Sequence, residues 1–438
     1  MTSPVKPPAP GPATDLVIGK DERIPPGRYL RVLVLAALLG LPAAVLAAAF
    51  TSAVHGVESL VWHELPDAAG WAEPPWWFVI LVPALAGVVV ALATRLPGHG
   101  GHAALDGLKI EPVPARHVPG ILIAAVASLA LGPVVGPEAP LVALGLALGV
   151  VVGRAVDPGD ERQLLVLAGG FAAISTVFGG PLPSALLMLE IAAMSGMAPA
   201  TVIGRLLLPG FVASGVGALV FTGIAGWPGV HEISLGIPGL PAYPTVHIVD
   251  LLWCLPLAAV VAGVVLAALD AARGIAARIG TPGVLAFASA GALVGLAAVL
   301  FRLVADRPVE LVLFSGQAAT GAIVAEASAG VLLALLVAKG LAFVLSTGGG
   351  FRGGLIFPSI ALGLALAAIA ASVLPGLALT PAVVAAVAAA AAAALSAPFF
   401  GALMAALLAG TMAPDTTPIA ILAAAVGALI AGARAPAE

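Results

Sequence analysis

The sequence predicts an all-helical integral membrane protein made of two related halves, and three observations carry that prediction. Hydrophobic residues make up 61% of the 438-residue chain and charged residues 9%, with a mean hydropathy of +1.14; soluble globular domains carry roughly a quarter charged residues. The apolar residues fall into runs without strand-like alternation, and a chain in lipid without that alternation satisfies its backbone only as helices. The chain also repeats itself: Pro140–Leu148 (PLVALGLAL) and Pro358–Leu366 (PSIALGLAL) agree at all but two positions, 218 residues apart (358 − 140). Gly180-Pro181-Leu182 and Ala397-Pro398-Phe399 supply a second anchor at a separation of 217 (398 − 181). Each half therefore holds a helix that starts abruptly after a Gly/Pro break, the pattern of discontinuous helices that meet at a substrate site.

In chain order, residues 1–27 are a Pro-rich, polar leader too poor in apolar residues to order. Lys20, Arg23, Arg28 and Arg31 precede the first apolar run, which places the N-terminus in the cytoplasm by the positive-inside rule. The first repeat is assigned to 28–225, with apolar runs near 30–54, 77–95, 118–135, 139–153, 163–178, 182–195 and 201–223. A span needs ~20 residues, so the runs of roughly fifteen are read as tilted, re-entrant or half helices buried in protein. His55 to Trp77 reads as a connecting loop whose Trp62, Trp71, Trp76 and Trp77 anchor at the membrane interface. Residues 226–247, with four prolines, His231 and Glu232, form an aqueous connection to the second repeat at 248–433, followed by a short tail at 434–438.

Several function classes fall away at this point. A net charge of −4 gives no basis for a nucleic-acid partner, and a single cysteine, Cys254, leaves neither a disulfide nor a cysteine metal cluster. His99 and His102 in Gly98-His99-Gly100-Gly101-His102 lack metal-ligand spacing and read as exposed histidines at a flexible helix entry; no metal or cofactor is expected. No Ser–His or HExxH arrangement suggests an intramembrane hydrolase.

The candidate chemistry lies at the two breaks. Gly136-Pro137-Glu138-Ala139-Pro140 sets a carboxylate at the mouth of an apolar helix, where an ionisable residue marks a pathway by default. The second break, Gly348-Gly349-Gly350-Phe351-Arg352-Gly353-Gly354-Leu355-Ile356-Phe357-Pro358, lets the backbone approach an ion and present its N–H groups. A helix start directs the equivalent of roughly half a positive charge at whatever lies before it, and Arg352 adds a full one. Both breaks thus favour an anion. Glu190 lies near a helix end and is expected to be held mainly by structural hydrogen bonds, with a supporting role in transport as the other reading.

At these residues the chain resembles the CLC superfamily of chloride channels and proton-coupled anion exchangers. Gly136–Pro140 is similar to the family's G-[KR]-E-G-P motif, Gly354–Pro358 to its G-x-F-x-P motif, and Gly98–His102 occupies the place of its G-S-G-I-P motif. The resemblance covers about residues 30–433 and implies two inverted repeats, a homodimer, and an anion pathway gated by Glu138. His99, Gly100, Gly136, Pro137, Ala139, Arg352, Gly353, Gly354, Leu355, Ile356 and Phe357 would line that pathway. The departures are specific. His99 stands where the family has its chloride-coordinating serine, Pro137 replaces the motif arginine, and Ile356 replaces the motif phenylalanine. No late tyrosine is present, and the proton-transferring glutamate of the exchangers aligns with Ile191. These departures resemble a divergent bacterial branch of ion-transport proteins. The expectation is a multi-pass cell-membrane protein without enzymatic activity that carries chloride or another halide passively or with weak proton coupling. The alternatives are a carrier of another small ion or solute on the same fold, and a non-transporting scaffold.

Overall fold

The computed structural model describes residues 25–155, 159–194, 207–224, 235–243, 245 and 247–434. The leader through residue 24, with Lys20 and Arg23, the part of the connection that holds His231 and Glu232, and residues 435–438 of the tail lie outside them. Among the described residues the fold is all-α, in helices α1 (Pro26–Ser59, continued through a π turn to Ala68), α2 (Trp76–Ala93), α3 (Val118–Ala130), α4 (Glu138–Val152), α5 (Asp160–Val177), α6 (Pro181–Met194) and α7 (Leu208–Ile224). The second half adds α8 (Ile248–Ile279), α9 (Val284–Ala305), the single-turn α10 (Thr320–Ala325), α11 (Ala329–Gly348), α12 (Ile356–Val373), α13 (Leu379–Leu395), α14 (Pro398–Ala409) and α15 (Ala413–Gly432). Seven described segments are long and apolar enough to cross a bilayer, whereas α4, α6 and α13 are shorter.

Prolines and glycines set where the helices begin and how closely they pack. Pro140 and Pro358 each fall in the third position of their helix, α4 and α12, where the missing N–H would have no intrahelical partner in any case. Helix pairs meet through glycine: a Cβ at Gly291 of α9 would strike the Pro83 carbonyl of α2, and one at Gly145 of α4 the Gly169 carbonyl of α5. Such small-residue contacts bring backbones together where lipid offers no hydrophobic drive to association. The alanine run of α13 has the same cause. Thr380 to Ala393 is buried throughout, with α8, α12, α14 and α15 packed around it, leaving no room for larger side chains.

Two sequence expectations need correction. The stretch from His55 to Ala68 is helix rather than loop, and its Trp62 is not an interfacial anchor. Trp62 is buried, donates its Nε1–H to the Ala130 carbonyl at 3.1 Å, and meets Phe78 and Phe314 edge-on. A buried indole keeps its donor satisfied in this way, whereas Trp76 and Trp77 are exposed. The described part of the 226–247 connection is likewise not simply aqueous. Ile237 N–H donates to the Leu408 carbonyl, and Tyr243, buried, donates its hydroxyl to Asp250 at 2.6 Å.

Candidate anion pathway at the paired helix breaks

The first break leaves α3 at Ala130, passes Gly132 in a left-handed conformation (φ +108°), and enters α4 at Glu138. The second leaves α11 at Gly348, passes Gly350 (φ +87°), and enters α12 at Ile356. The two lie against each other and exchange hydrogen bonds in reciprocal pairs. Gly136 N–H donates to the Gly354 carbonyl at 2.8 Å and Gly354 N–H to the Gly136 carbonyl at 2.6 Å. Val134 N–H donates to Ser346 Oγ at 2.8 Å, and Arg352 N–H to Ser128 Oγ at 3.0 Å. Gly136 and Gly354, Val134 and Arg352, and Ser128 and Ser346 are each 218 residues apart, the separation of the sequence repeat. The breaks therefore meet across a local two-fold axis, and backbone groups released by the interrupted helices find partners on the opposite break, as a low-dielectric surrounding demands.

Glu138 lies over this junction. Its side chain is fully buried, and Oε1 accepts the N–H of Phe357, in the first turn of α12, at 3.3 Å. Oε2 is buried with no hydrogen-bond partner. A Cβ at Gly354 or at Gly136 would collide with the same carboxylate, so both glycines are the space that admits it. A carboxylate from the start of α4 thus occupies the N-terminal end of α12, where oriented N–H groups favour negative charge.

Three cavities adjoin this point. One of about 10 Å³ is lined by Glu138, Ala139, Gly353, Gly354, Leu355 and Ile356. One of about 30 Å³ shares Ala139 and Gly353 with it and adds Gly100, Gly101, Lys109 and Arg352. The third, about 630 Å³, reaches Val135 and Pro137 from the ends of α1 and α10, with His55, Glu58, Glu310 and an Arg307–Glu326 ion pair of 2.8 Å on its lining. The hydrogen bond from Arg307 holds the Glu326 carboxyl below its ordinary range.

The structure thus brings together the residues singled out at the two breaks and Gly98–His102. His99 takes part through its backbone: Arg352 Nη2 donates to the His99 carbonyl at 3.1 Å, while the exposed imidazole has Nδ1 3.1 Å from the Thr94 carbonyl. Glu190 and Ile191 lie apart from the junction, on α6. Both Glu190 oxygens are occupied, accepting Phe399 and Phe400 N–H groups at 2.8 Å each at the start of α14. Three rings link the residues that the two glutamates hold by their N–H groups: Phe400 meets Phe178 at 5.0 Å, and Phe178 stacks on Phe357 at 6.1 Å. Among the described residues no cluster of His, Cys, Asp and Glu could hold a metal ion.

Lys339 escaped the sequence reading. It is buried in α11, and its Nζ, with three protons to donate, lies 3.0 to 3.3 Å from the carbonyl oxygens of Leu311, Val312, Leu313 and Phe314. This ties down the turn that walls the large cavity, and Phe314 N–H in turn donates to the Gly132 carbonyl of the first break. A lone lysine within an apolar run was signal enough to find it.

Comparison with known proteins identifies the family and the fold. The sequence profile of the family described as "Voltage gated chloride channel" matches residues 98–432. A protein of Escherichia fergusonii named "Putative ion-transport protein YfeO" is 29% identical over 326 residues, covering 71% of this chain and 72% of its own. Its namesake in Escherichia coli O139:H28 is 28% identical over 359 residues, covering 78% and 79%. Among solved structures, a slow cyanobacterial Cl−/H+ antiporter superposes with a TM-score of 0.76 at 18% identity, covering 94% of this chain and 96% of its own. A CLC-type fluoride/proton antiporter superposes with a TM-score of 0.73 at 17% identity, covering 93% and 97%.

Proposed function

The chain belongs to the voltage gated chloride channel (CLC) family, multi-pass membrane proteins that move ions rather than enzymes, and from that premise we propose that it conducts a small inorganic anion such as chloride past Glu138. One observation carries the proposal: the Glu138 carboxylate holds the N–H of Phe357 at the start of α12, the place a dehydrated anion would take. Ionised, the carboxylate competes with the anion for that helix end; protonated, it loses its charge-assisted bond and swings aside. The anion then passes along Gly353, Gly354, Leu355 and Ile356, with Arg352 setting the potential on the approach.

Weak or absent proton coupling belongs to the same reading. Ile191 has no proton to exchange, and both Glu190 oxygens are already taken by the Phe399 and Phe400 amides at the start of α14. The rings of Phe400, Phe178 and Phe357, which link the neighbourhoods of the two glutamates, carry no exchangeable proton. The protein acts in the cell membrane with its N-terminus in the cytoplasm, as a homodimer whose subunits each hold a pathway, the repeats at 28–225 and 248–433 being inverted. The test is purified protein in liposomes, with chloride release and proton movement recorded together under an imposed proton gradient. Chloride running to its own electrochemical equilibrium is expected; sustained uphill accumulation would refute passive flux, and no ion flux would refute transport.

A further inference from the structure

The 630 Å³ cavity lies outside the gate itself. Its lining comes from the far end of α1, the segment between α9 and α10, and the first break. At 34 residues α1 is long enough to cross a bilayer, so His55 and Glu58 near its far end lie on the face opposite Pro26. Exposed His55 and Arg307 put the mouth of the cavity at the protein surface, and Val135 and Pro137, the chain neighbour of Glu138, close its inner end. Phe50, Val54, Leu129, Leu313 and Phe314 give it apolar walls.

The charges on this lining have the wrong sign for an anion. Arg307 is its one lysine or arginine, and Glu326 already neutralises it across 2.8 Å. Lys339 adds nothing: its Nζ is turned to the carbonyls of residues 311–314 and does not reach the lining. Glu58 and Glu310 remain, half-buried and close enough to repel each other. Among the described residues neither takes part in a hydrogen bond or an ion pair, and the basic residue whose charge reaches Glu58 is His63, exposed in the π turn. Two like charges held together in half-buried surroundings are relieved by a cation placed between them.

The apolar walls decide which cation. A hard metal ion takes roughly six or more oxygen ligands, and no cluster of His, Cys, Asp and Glu among the described residues could hold one. A volume of about 630 Å³ falls within the roughly 300–1,000 Å³ of small-molecule sites, which combine apolar walls with a few polar groups. We propose that the cavity binds an organic cation, a protonated amine on an apolar body about the size of two fused rings. Its ammonium sits between Glu58 and Glu310, and its body lies along the wall toward Val135 and Pro137. In that position the body closes the approach to Glu138 from this face, so the amine blocks transport. Binding stands on the cavity alone; the block rests on the anion reading above.

Naphthylmethylamine supplies the probe, with naphthylmethanol and naphthylacetate as its neutral and anionic counterparts. Calorimetric titration of the purified full chain near neutral pH gives saturable binding of the amine, with the alcohol and the carboxylate at least ~tenfold weaker. Glu58→Gln with Glu310→Gln lowers the amine affinity at least ~tenfold. Ala322→Trp, on the lining in α10, fills the cavity, keeps both carboxylates and abolishes binding, which guards against misfolding of the glutamine variant. In liposomes with no proton gradient the amine inhibits chloride flux of the wild type and not of the double glutamine variant. No saturable binding of the amine overturns the site. Equal binding of amine and alcohol, unchanged by the glutamines, also overturns it and makes the cavity a place for lipid or detergent. Amine binding with chloride flux undiminished overturns the block. A wild type that binds the amine and carries no anion supports the site and overturns the anion reading.

Discussion

The two breaks share a backbone and differ in charge. Ser128, Val134, Gly136 and Pro140 of the first correspond at 218 residues to Ser346, Arg352, Gly354 and Pro358 of the second, and their hydrogen bonds are exchanged in kind. Among the aligned positions from Ser128 to Pro140 that differ, two differ in charge. Glu138 faces Ile356, and Arg352 faces Val134: each break has gained one charge of opposite sign where the other is aliphatic. A duplicated frame holds the helix ends in place, and in the proposed function the unmatched pair of side chains gives the passage its selectivity and its gate. The frame answers to stability, the unmatched charges to transport, so variants separate the two.

Closing the space between the breaks has the largest effect. In Gly354→Ala the new methyl occupies the position of the Glu138 carboxylate, an overpacking of ~1–3 kcal/mol that lowers chloride flux in liposomes at least ~tenfold. Removing the carboxylate as well, in Gly354→Ala with Glu138→Ala, restores flux, because the two side chains compete for one volume. If the double variant is as slow as Gly354→Ala alone, the glycine serves the backbone and not the glutamate.

Removing the unmatched cation comes next. Arg352→Ala lowers flux by ~three- to tenfold, a loss of about 1 kcal/mol. Its thermal midpoint in detergent stays near that of the wild type, since the backbone bond to Ser128 is untouched. The matched pair behaves in the opposite way. Ser128→Ala and Ser346→Ala each leave one buried amide without its acceptor and destabilise the protein by ~1–3 kcal/mol. Thermal unfolding in detergent shows similar costs for the two; a large inequality would break the reciprocity of the frame.

The smallest effect on transport is at Glu190. Glu190→Gln weakens two backbone bonds at the start of α14 and lowers the thermal midpoint, while the pH dependence of flux stays that of the wild type. A changed pH dependence would restore Glu190 to the proton route.

How much of this was legible in the sequence follows the same division. The repeat at 218 and the Gly/Pro breaks located α4 and α12, because proline and glycine constrain the backbone wherever they occur. Charge in an apolar chain exposed Glu138 and Arg352. The frame between the breaks was not legible: a serine donating to a carbonyl and a serine accepting an amide 212 residues away read alike. Trp62 was misread for a related reason. Indoles are common both at membrane interfaces and in cores, and the carbonyl of Ala130 that decides between them comes from another helix. Lys339 was visible in its run, but the four carbonyls that hold it belong to a turn whose position only the packed fold defines.

The central claim is that Glu138 gates the anion by competing for the start of α12. It is tested most directly by the pH dependence of chloride flux in liposomes for the wild type and Glu138→Gln, measured with no proton gradient. The account predicts that wild-type flux rises as pH falls, as the carboxylate takes up its proton and releases Phe357 N–H. Glu138→Gln, neutral at every pH, holds a nearly constant flux at or above the wild-type acid limit. Superimposable pH–flux curves for the two proteins would contradict it.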